Sequence, residues 1–417
     1  MIEIINECRL CNSKNLSKVL SLGDMSLTGV FVKAYDPDPV RVPLDLMFCD
    51  DCHFVQLKHS VDPDKLYESY WYRSGTNKTM TDHLHEIANE ASELADLKDG
   101  DICIDTGCND GTLLSGYFQG VIKIGIDPSD AIKSVTDQSV IKINKYFSKE
   151  AVISALGGKK ASIITSISMF YDVNKPSKFI KDIADILSDN GVWIVEMNYT
   201  GFMIARLGYD MISHEHVGYY TIETFKNIVE KNGLYVNNIS FNEINSGSVR
   251  FFISKKKLCS ENVLIAIKKE HENNLHKIDG YHNYYLNIER FKVNLNSFLK
   301  EIRSKGSKIG LYGASTRGNT ILQHCNITKN IIFAAADRNP DKWGLETSGS
   351  RIPIISEKEM RDINPEYLLI APYYFLDEFI EREKDYLNKG GKFIVPLPIL
   401  RVISSVNGKI CIKEVSV

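Results

Sequence analysis

The sequence shows no strong excess of charge of either sign. Its 417 residues include 50 Lys and Arg and 53 Asp and Glu, and the formal net charge at pH 7 is -3. Proteins that bind nucleic acid cluster Lys and Arg against the phosphate backbone, so this balance argues against nucleic acid as a partner. The composition instead favours small molecules as partners.

Long apolar runs are also missing. No stretch approaches the roughly 18 consecutive apolar residues of a membrane-spanning helix, so we expect no membrane partner. The first residues, MIEIINECRLCN, lack the basic and apolar segments of a signal peptide. The nine cysteines are odd in number and mostly scattered, which favours reduced thiols and a cytoplasmic protein. At roughly 150 residues per domain, the length predicts two or three domains, with a monomer and a dimer both open.

Four cysteines are not scattered but form two C-x-x-C pairs. Cys8 and Cys11 form the first pair, and Cys49 and Cys52 form the second within FCDDCHF. Two such pairs can surround one zinc ion with four thiolates, whereas free thiols or a redox pair would not require two matched pairs. Four thiolates leave no coordination position open, so we predict a structural zinc and not a catalytic one.

The middle of the chain alternates between predicted strands and helices. DICIDTGCNDGTLLSGYF predicts a buried strand, a glycine-containing turn and a helix that begins near Thr112. IKIGIDPS predicts a second, parallel strand that ends at Asp127, a residue placed to bind ribose hydroxyls. SIITSISMF and GVWIVEMNY continue the alternation. The pattern is typical of a doubly wound α/β domain, whose ligand lies at the carboxyl ends of the strands.

The first turn of this domain favours one class of cofactor. Asp105, Asn109 and Asp110 place carboxylates and an amide where a dinucleotide-binding turn would present bare backbone to a pyrophosphate. These groups suit a cofactor without phosphates and with a positive centre, which is S-adenosylmethionine. Gly107 and Gly111 would let the backbone approach that ligand closely. The alternative is that the polar residues only cap the following helix.

The last third of the chain predicts a second α/β unit. Residues 259–305 have a charged helical pattern, and SKIGLYGASTRGNTILQHC then predicts another strand, glycine turn and helix. The turn contains no acid and carries Ser315, Thr316, Arg317 and Asn319, which suits an anionic phosphate at a helix N-terminus. The alternatives are a degenerate unit used for packing, or NAD as the ligand.

The segment SHEHVGYY, residues 213–220, follows the predicted strand GVWIVEMNY and an irregular stretch. We therefore expect it on the ligand side of the middle domain. It lacks the H-E-x-x-H spacing that places two imidazoles on one helix face, which argues against a metal site. Proton transfer is a role that suits a histidine, and histidines satisfied by local hydrogen bonds are the alternative.

These motifs together resemble those of the nucleotide-sugar C-methyltransferases. The resemblance rests on D-x-G-x-N-D-G followed by GIDPS, on the paired cysteines before it and on an E-H pair after it, and it extends over nearly the whole chain. Members of this family have three domains and place a methyl group on carbon 3 of a nucleotide-linked 4-keto-deoxysugar. The resemblance therefore implies an S-adenosylmethionine-dependent methyltransferase with a structural zinc ion.

The resemblance also implies an α/β fold with a definite domain order. An N-terminal zinc-binding module with an aromatic loop is expected at 1–75, and a class I methyltransferase domain of Rossmann-like fold at 76–258. A helical connector at 259–305 leads to a second Rossmann-like α/β domain at 306–417, which we expect to bind the nucleotide sugar.

Candidate site residues follow from the same resemblance. The expected cofactor contacts are Asp105, Gly107, Asn109, Asp110, Gly111, Asp127, Pro128 and Phe147. The expected substrate contacts are Tyr70, Asn77, Arg250, Gly313, Ser315, Arg317, Asn319 and Asp337. The last five of these lie in the C-terminal domain and are expected to hold the diphosphate.

The E-H pair of the family corresponds to Glu215 and His216. Carbon methylation next to a ketone requires removal of a proton from that carbon, so the resemblance implies that His216 is the base. Glu215 would orient the ring or hold a sugar hydroxyl, and His214 is a further catalytic candidate. Donors to the enolate oxygen would come from Tyr219 and Tyr72.

Two positions depart from the family pattern. Many members carry a tyrosine where this chain has Ser213, and a histidine in an H-I-P-D segment where this chain has Met169 and Phe170. Two alternatives stay open. One is an O-methyltransferase that acts on a related sugar nucleotide, and the other is a non-catalytic protein that binds zinc and a nucleoside.

Overall fold

A computed structural model of the chain describes residues 2–67, 71–258 and 260–415. Its main sheets are a small antiparallel sheet and two seven-stranded sheets flanked by helices, so the predicted α/β class is confirmed. The helices are α1 Pro63–Tyr67, α2 Lys78–Leu94, α3 Thr112–Ser115, α4 Lys149–Leu156, α5 Pro176–Ile186, α6 Thr200–Ala205, α7 Ile222–Lys231, α8 Glu261–Glu272, α9 Asp279–Ser304, α10 Thr316–His324, α11 Glu357–Ile363, α12 Leu376–Arg382 and α13 Lys384–Asn388. The strands are β1 Ile2–Ile4, β2 Leu16–Ser26, β3 Phe31–Lys33, β4 Arg41–Cys49, β5 Val55–Leu57, β6 His59–Val61, β7 Ile102–Thr106, β8 Ile122–Ile126, β9 Val140–Ile143, β10 Ala161–Ile167, β11 Leu187–Asn198, β12 Gly218–Tyr219, β13 Tyr235–Asn242, β14 Ser248–Ser254, β15 Ile309–Tyr312, β16 Ala335–Asp337, β17 Leu345–Thr347, β18 Ile354–Ser356, β19 Tyr367–Ile370, β20 Lys392–Val395, β21 Arg401–Val406 and β22 Lys409–Glu414.

The N-terminal module, which contains β1 to β6, is built on an antiparallel sheet in the order β12-β5-β4-β2. Leu44, Leu46 and Phe48 of β4 are buried, because β4 lies between two other strands. The edge strand β12 comes from much later in the chain and directly follows the segment SHEHV. It pairs Gly218 with Gln56 and Tyr219 with Val55. The module therefore holds the end of the SHEHVGYY segment in its own sheet.

The middle domain contains a sheet in the order β9-β8-β7-β10-β11-β14-β13. The first five of these strands are parallel, and β14 and β13 are antiparallel. All five residues of β7 are buried, as expected for a central parallel strand covered on both faces. Because Thr106 pairs with both Ile126 and Ser166, the ends of β7, β8 and β10 meet at one edge. Polar residues that follow these strands lie together there.

The C-terminal domain contains the sheet β18-β16-β15-β19-β20-β21-β22, in which β21 and β22 form an antiparallel hairpin at one edge. A turn at Gly313, with a φ of +88 degrees, leads from β15 into α10. Strand β17 pairs antiparallel with β3 of the N-terminal module, with Thr347 opposite Phe31. The first and last parts of the chain are therefore joined by a strand pair.

One hydrophobic core spans the N-terminal module and the C-terminal domain. It contains Leu20 and Phe48 of the module, Ile288 and Leu295 of α9, and Leu311 of β15. The buried residues of α9 recur every three or four positions, so one face of the helix packs into this core. The helical pattern expected at 259–305 is thus present as α8 and α9, while the domain limits stay predictions. No helix in the described part of the chain is long and apolar enough to cross a membrane.

Candidate active site

The four paired cysteines come together in the N-terminal module. Their sulfur atoms all lie within 4.8 Å of one another. Cys8 Sγ is 3.4 Å from Cys52 Sγ, and Cys11 Sγ is 3.5 Å from Cys49 Sγ. The second pair spans a tight turn in which His53 N donates to Cys49 O. These distances fit four thiolates around one zinc ion, with no coordination position left for a substrate.

The turn after β7 has a backbone that a ligand can approach closely. Gly107, Asn109 and Gly111 have φ angles of +71, +52 and +77 degrees, a region that favours glycine and asparagine. A Cβ on Gly107 would lie 2.9 Å from Met169 Cγ, so the turn packs tightly against the segment after β10. Both segments lie at the carboxyl edge of the middle sheet, which is where a doubly wound fold binds its ligand.

Two aspartates at this edge are already hydrogen-bonded within the protein. Asp127 accepts from Asn109 N at 2.9 Å and from Ser129 N at 2.8 Å. Asp105 accepts from Thr165 Oγ1 at 2.6 Å, and burial raises the pKa of Asp105 to about 7. Both carboxyl groups therefore stabilise the turn, and their direct contact with the cofactor stays a prediction.

The aromatic loop before α2 folds onto the same turn. Asn109 Nδ2 donates to Tyr72 O, and Ser74 N donates to Asn109 Oδ1, both at 3.1 Å. Gly75 N donates to Asp110 Oδ2 at 2.8 Å. The amide and carboxylate of the turn therefore hold this loop in place, which is a role that sequence analysis did not assign to them.

The residues predicted to bind substrate from this loop differ in their surroundings. Tyr72 exposes 44% of its surface beside the turn, where a ligand can reach it. Asn77 instead caps α2, because its side chain accepts from Met80 N at 3.3 Å. The structure thus gives Asn77 a structural role in place of the predicted substrate contact. Tyr70 lies outside the described residues.

Pro128 and Phe147 lie further along the carboxyl edge of the sheet. Pro128 O accepts from Asn144 Nδ2 at 3.0 Å, and the Phe147 ring lies 4.7 Å from the Phe179 ring. Both residues remain partly exposed. Their predicted contact with the cofactor is compatible with this placement and stays a prediction.

His216 is oriented by a backbone carbonyl. Its Nδ1 lies 2.7 Å from Met211 O. Because a carbonyl oxygen only accepts, the neutral ring carries its proton on Nδ1 and leaves the Nε2 lone pair able to take up a proton. Burial lowers the pKa of His216 to about 4, against the opposing effect of the Met211 hydrogen bond. His216 is therefore a neutral imidazole held in one tautomer.

A short chain of contacts connects His216 to the cofactor turn. The His216 ring packs against the Tyr171 ring, with centroids 4.4 Å apart and planes at 66 degrees. Tyr171 follows two residues after Met169, whose side chain packs beside Gly107. Tyr219, predicted as an enolate donor, lines a small cavity together with His216 and Tyr171. His216 and the turn at 107–111 therefore both pack against the segment that contains Met169 and Tyr171.

Two carboxyl groups lie close to the histidine. Burial raises the pKa of Glu215 to about 7. Burial raises the pKa of Asp172 well above its usual range, and the nearby charge of Glu215 adds to this effect. Asp172 Oδ2 accepts from Tyr67 Oη at 3.0 Å, and Oδ1 has no hydrogen-bond partner within the part of the chain that the structure describes. The site therefore contains two acids that favour the protonated form near neutral pH.

Glu215 marks the point where all three parts of the protein meet. A Cβ on Gly29 of the N-terminal module would clash with Glu215 Oε1. The same Cβ would lie 3.4 Å from Thr316 Oγ1, at the start of α10 in the C-terminal domain. Gly29 therefore packs directly against this carboxyl group.

His214 faces a different environment from its neighbours. It is buried, with Nε2 3.0 Å from Val42 O of β4, and burial lowers its pKa to about 4. This contact anchors the segment to the N-terminal module. His214 therefore has a structural role, and a catalytic role for it stays a prediction.

Arg317, predicted to bind a diphosphate, is instead bonded to protein acceptors. Its Nε donates to Asp210 Oδ2 at 2.7 Å, its Nη1 to Asn245 O at 2.9 Å and its Nη2 to Tyr373 Oη at 3.0 Å. Tyr373 Oη donates in turn to Asp210 Oδ1 at 2.9 Å. The guanidinium lies in a buried ion pair that joins the C-terminal domain to the middle domain, and its contact with a diphosphate stays a prediction.

This ion pair lies next to the histidine. Asp210 directly precedes Met211, whose carbonyl orients His216. We name residues 209–220, which carry this aspartate and the SHEHVGYY segment, the E-H loop. The positive charge of Arg317 also contributes to the low pKa of His216, although less than burial does. Arg317 therefore affects His216 in two ways. It holds the E-H loop through Asp210, and its positive charge lowers the pKa of the histidine.

Asn319 and Ser315 of the same turn are also used within the protein. Asn319 Nδ2 donates to Thr28 O of the N-terminal module and to Ser348 Oγ, both at 3.1 Å. Ser315 caps α10, since its Oγ accepts from Gly318 N at 3.0 Å. Both residues therefore stabilise the fold, and their contacts with a diphosphate stay predictions.

Asp337 and Gly313, the remaining residues predicted to hold the diphosphate, form contacts that stabilise the turn itself. Asp337 accepts from Ala314 N at 3.0 Å and lies 3.3 Å from Lys342 Nζ. A Cβ on Gly313 would lie 2.6 Å from Pro372 Cδ, so no ligand fits between these two segments. The glycine turn of the C-terminal domain is therefore packed internally, and its contact with a diphosphate stays a prediction.

Arg250, predicted to contact substrate, lies in a buried ion-pair cluster of the middle domain. Its Nε donates to Glu196 Oε2 at 2.8 Å, and its Nη1 donates to Glu90 of α2. Glu196 Oε1 also lies 2.6 Å from His83 Nε2 of α2. The cluster fastens α2 to β11 and β14, and the contact of Arg250 with substrate stays a prediction.

Sequence analysis missed three residues that shape this site. Asp172 follows directly after a predicted strand, so its place at the ligand edge of the sheet was a usable signal. Asp210 and Gly29 gave no such signal, because the residues they contact, Arg317 and Glu215, lie far away in the sequence.

Comparisons with known proteins agree with the three parts of the fold. A zinc binding domain model matches residues 8–67, a methyltransferase domain model matches 72–238, and a C-methyltransferase C-terminal domain model matches 243–398. The C-methyltransferase NovU of Streptomyces niveus is 27% identical over 414 residues, which cover 97% of this chain and 98% of that protein.

Solved structures with similar folds are more distant. An S-adenosylmethionine-dependent methyltransferase from Clostridium acetobutylicum is 11% identical with a TM-score of 0.33, over 43% of this chain and 92% of that chain. Magnesium protoporphyrin IX methyltransferase from Synechocystis, with bound S-adenosylmethionine, is 12% identical with a TM-score of 0.31, over 43% of this chain and 79% of that chain.

Proposed function

Because the chain belongs to a family of S-adenosylmethionine-dependent C-methyltransferases with an N-terminal zinc-binding domain, we propose that its substrate is a nucleotide-linked 4-keto-deoxysugar. We further propose that the methyl group is placed on carbon 3, next to the ketone. The resemblance of the motifs to the nucleotide-sugar enzymes supports this substrate. A cytoplasmic location stays a prediction.

The observation that carries the proposal is the state of His216. Its Nδ1 proton is held by Met211 O, so Nε2 is the basic atom. In the proposed reaction Nε2 takes the proton from carbon 3, and the electrons of that C–H bond form an enolate with the oxygen at carbon 4. The bound S-adenosylmethionine supplies an electrophilic methyl group, which the enolate carbon takes. The turn at 107–111 and the strand end at Asp127 would hold this cofactor.

The enolate oxygen needs a hydrogen-bond donor as its charge develops. Glu215 and Asp172 are suited to this, because their raised pKa values keep a proton available near neutral pH. They would act in place of the tyrosine and histidine that relatives carry near Ser213 and Met169. Tyr219 stays a further candidate.

The proposal is tested by hydrogen exchange in deuterated water. The wild-type protein, given a dTDP- or UDP-linked 4-keto-deoxysugar and S-adenosylhomocysteine, should exchange the hydrogen on carbon 3. His216→Ala should lose this exchange by about a hundredfold or more, and it should lose methylation to the same extent when S-adenosylmethionine replaces S-adenosylhomocysteine. His282→Ala, which changes an exposed histidine of α9, is the matched control and should retain both.

NMR of the methylated product separates the proposal from its main rival. A methyl group on carbon 3 together with exchange at that carbon supports the proposed reaction. A methyl group on oxygen, without exchange at any carbon, would instead show an O-methyltransferase in which His216 deprotonates a hydroxyl.

A further inference from the structure

A groove runs between the N-terminal module and the C-terminal domain. It has a volume of about 470 Å³, and its lining includes Phe31, Lys33, Asp36, Pro37, Trp71 and Leu345. Strands β3 and β17, one from each side, pair along it. The volume lies in the range of small-molecule sites, about 300 to 1,000 Å³. Of the residues predicted to bind substrate, none that the structure describes lines this groove.

Two aromatic rings form the apolar wall of the groove. The rings of Phe31 and Trp71 lie 6.0 Å apart with their planes at 75 degrees. Phe31 is buried, whereas Trp71 is only half-buried and keeps ring surface available. A planar ring can stack in such a corner, and nucleobases stack on aromatic side chains with little dependence on the base.

The groove begins close to the site around Glu215. Gly29 packs against the Glu215 carboxyl group, and Phe31 follows two residues later in the chain. Two residues span at most about 7 Å, so the aromatic corner begins a short distance from the carboxyl group. The groove and the Glu215 site are therefore neighbours.

Two lysines lie beside this groove. Lys342 Nζ is 4.8 Å from the centre of the Phe31 ring and donates to Ala314 O at 2.8 Å. Lys33 lies at the exposed end of β3. Lys342 is already paired with Asp337 at 3.3 Å, so the exposed Lys33 is the cation that favours an anionic group here. The carboxylate of Asp36 provides an acceptor for a ribose hydroxyl or a base N–H.

We propose that the nucleobase and ribose of the substrate bind in this groove, with the sugar directed toward His216. This inference rests on the proposed function, because it assumes a nucleotide-linked substrate. It moves the nucleotide away from the glycine turn of the C-terminal domain, where Arg317 and Asn319 already bond to other parts of the chain.

Calorimetric titration of the zinc-loaded protein with dTDP tests the groove without any turnover. Trp71→Ala should weaken dTDP binding by about tenfold or more, since stacking contributes that much per base. Binding of S-adenosylhomocysteine should stay unchanged, and KM for the nucleotide sugar should rise more than kcat falls. Phe118→Ala is the control, since this half-exposed ring follows α3 at the opposite edge of the middle sheet.

A charge variant gives a second measurement that does not depend on a partly buried residue. Lys33→Glu changes an exposed side chain and should weaken dTDP binding more at low salt than at high salt. Zinc content and melting temperature verify that each variant is folded.

The outcomes separate the two proposals. If dTDP binds equally to wild type, Trp71→Ala and Lys33→Glu, the groove is not the nucleotide site. A loss of S-adenosylhomocysteine binding in Trp71→Ala would also overturn the assignment, because the tryptophan would then be structural. If dTDP, UDP and GDP all fail to bind the wild-type protein at millimolar concentration, the nucleotide-linked substrate itself is wrong.

Discussion

Burial sets the protonation of the two central side chains of the E-H loop. It lowers the pKa of His216 to about 4 and raises that of Glu215 to about 7. The base is active when deprotonated and the donor when protonated, so kcat/KM should rise with pH through about 4 and fall through about 7. A pH profile of the free enzyme's kcat/KM measures both limbs.

Glu215→Gln is the matched variant for this profile. Glutamine keeps a hydrogen-bond donor but does not titrate, so the fall near pH 7 should disappear while the rise near pH 4 remains. A fall near pH 7 that persists in this variant would show that another group controls the alkaline limb.

The role of an individual site residue could be predicted only where the residues it acts with are close to it in the sequence. The zinc ligands were predictable because each C-x-x-C turn sets the direction of both thiols within four residues. Arg317 and Asn319 have the composition of a phosphate site, but they bond to Asp210 and Thr28, which come from other parts of the fold. No pattern near position 317 or 319 identifies those acceptors.

At the scale of elements, α10 is fastened to the E-H loop by the buried pair of Arg317 and Asp210. Arg317→Gln removes the cation and leaves a buried carboxylate unpaired, which should lower the free energy of unfolding by about 3 to 5 kcal/mol. Urea denaturation measures this change. Arg317→Lys, which keeps a positive charge at this position, should recover part of the loss.

Arg338→Gln is the control for that comparison. Arg338 lies in the same domain, and its contact with Glu378 at 3.4 Å is largely exposed. Its loss should change the free energy of unfolding by less than about 1 kcal/mol. Equal effects at positions 317 and 338 would show that the buried pair does not fasten α10 to the loop.

The order of the elements was predictable, whereas several of their pairings were not. Apolar runs and glycine turns predicted β7, β8 and β15 and the turns that follow them, because these signals lie within one unit of strand, turn and helix. The pairings of β12 with β5 and of β3 with β17 join segments far apart in the sequence. Strands of two or three residues carry too little pattern to predict such partners.

At the scale of the whole molecule, the zinc centre supports a site that it does not touch. The module it stabilises supplies Gly29 to the Glu215 environment and β5 to the E-H loop. Removal of zinc with a chelator should therefore lower the melting temperature and abolish most methyl transfer, and added zinc should restore both. Thermal unfolding and a methyl-transfer assay on the same samples measure the two effects.

Two cysteine variants complete this test. Cys49→Ser removes a buried zinc ligand and should reproduce the effect of the chelator. Cys411→Ser changes an exposed cysteine of β22 and should have no effect. Full activity of the metal-free protein would mean that the module is not needed to hold the E-H loop.

The pairing of β12 with β5 also affects how this protein can be recombined with its relatives. The strand that directly follows the E-H pair completes a sheet whose other strands come from the first 57 residues. A chimaera that takes its zinc-binding module from another family member must therefore take residues 209–220 from that same parent. The two segments form one exchangeable unit, although about 150 residues of the chain separate them.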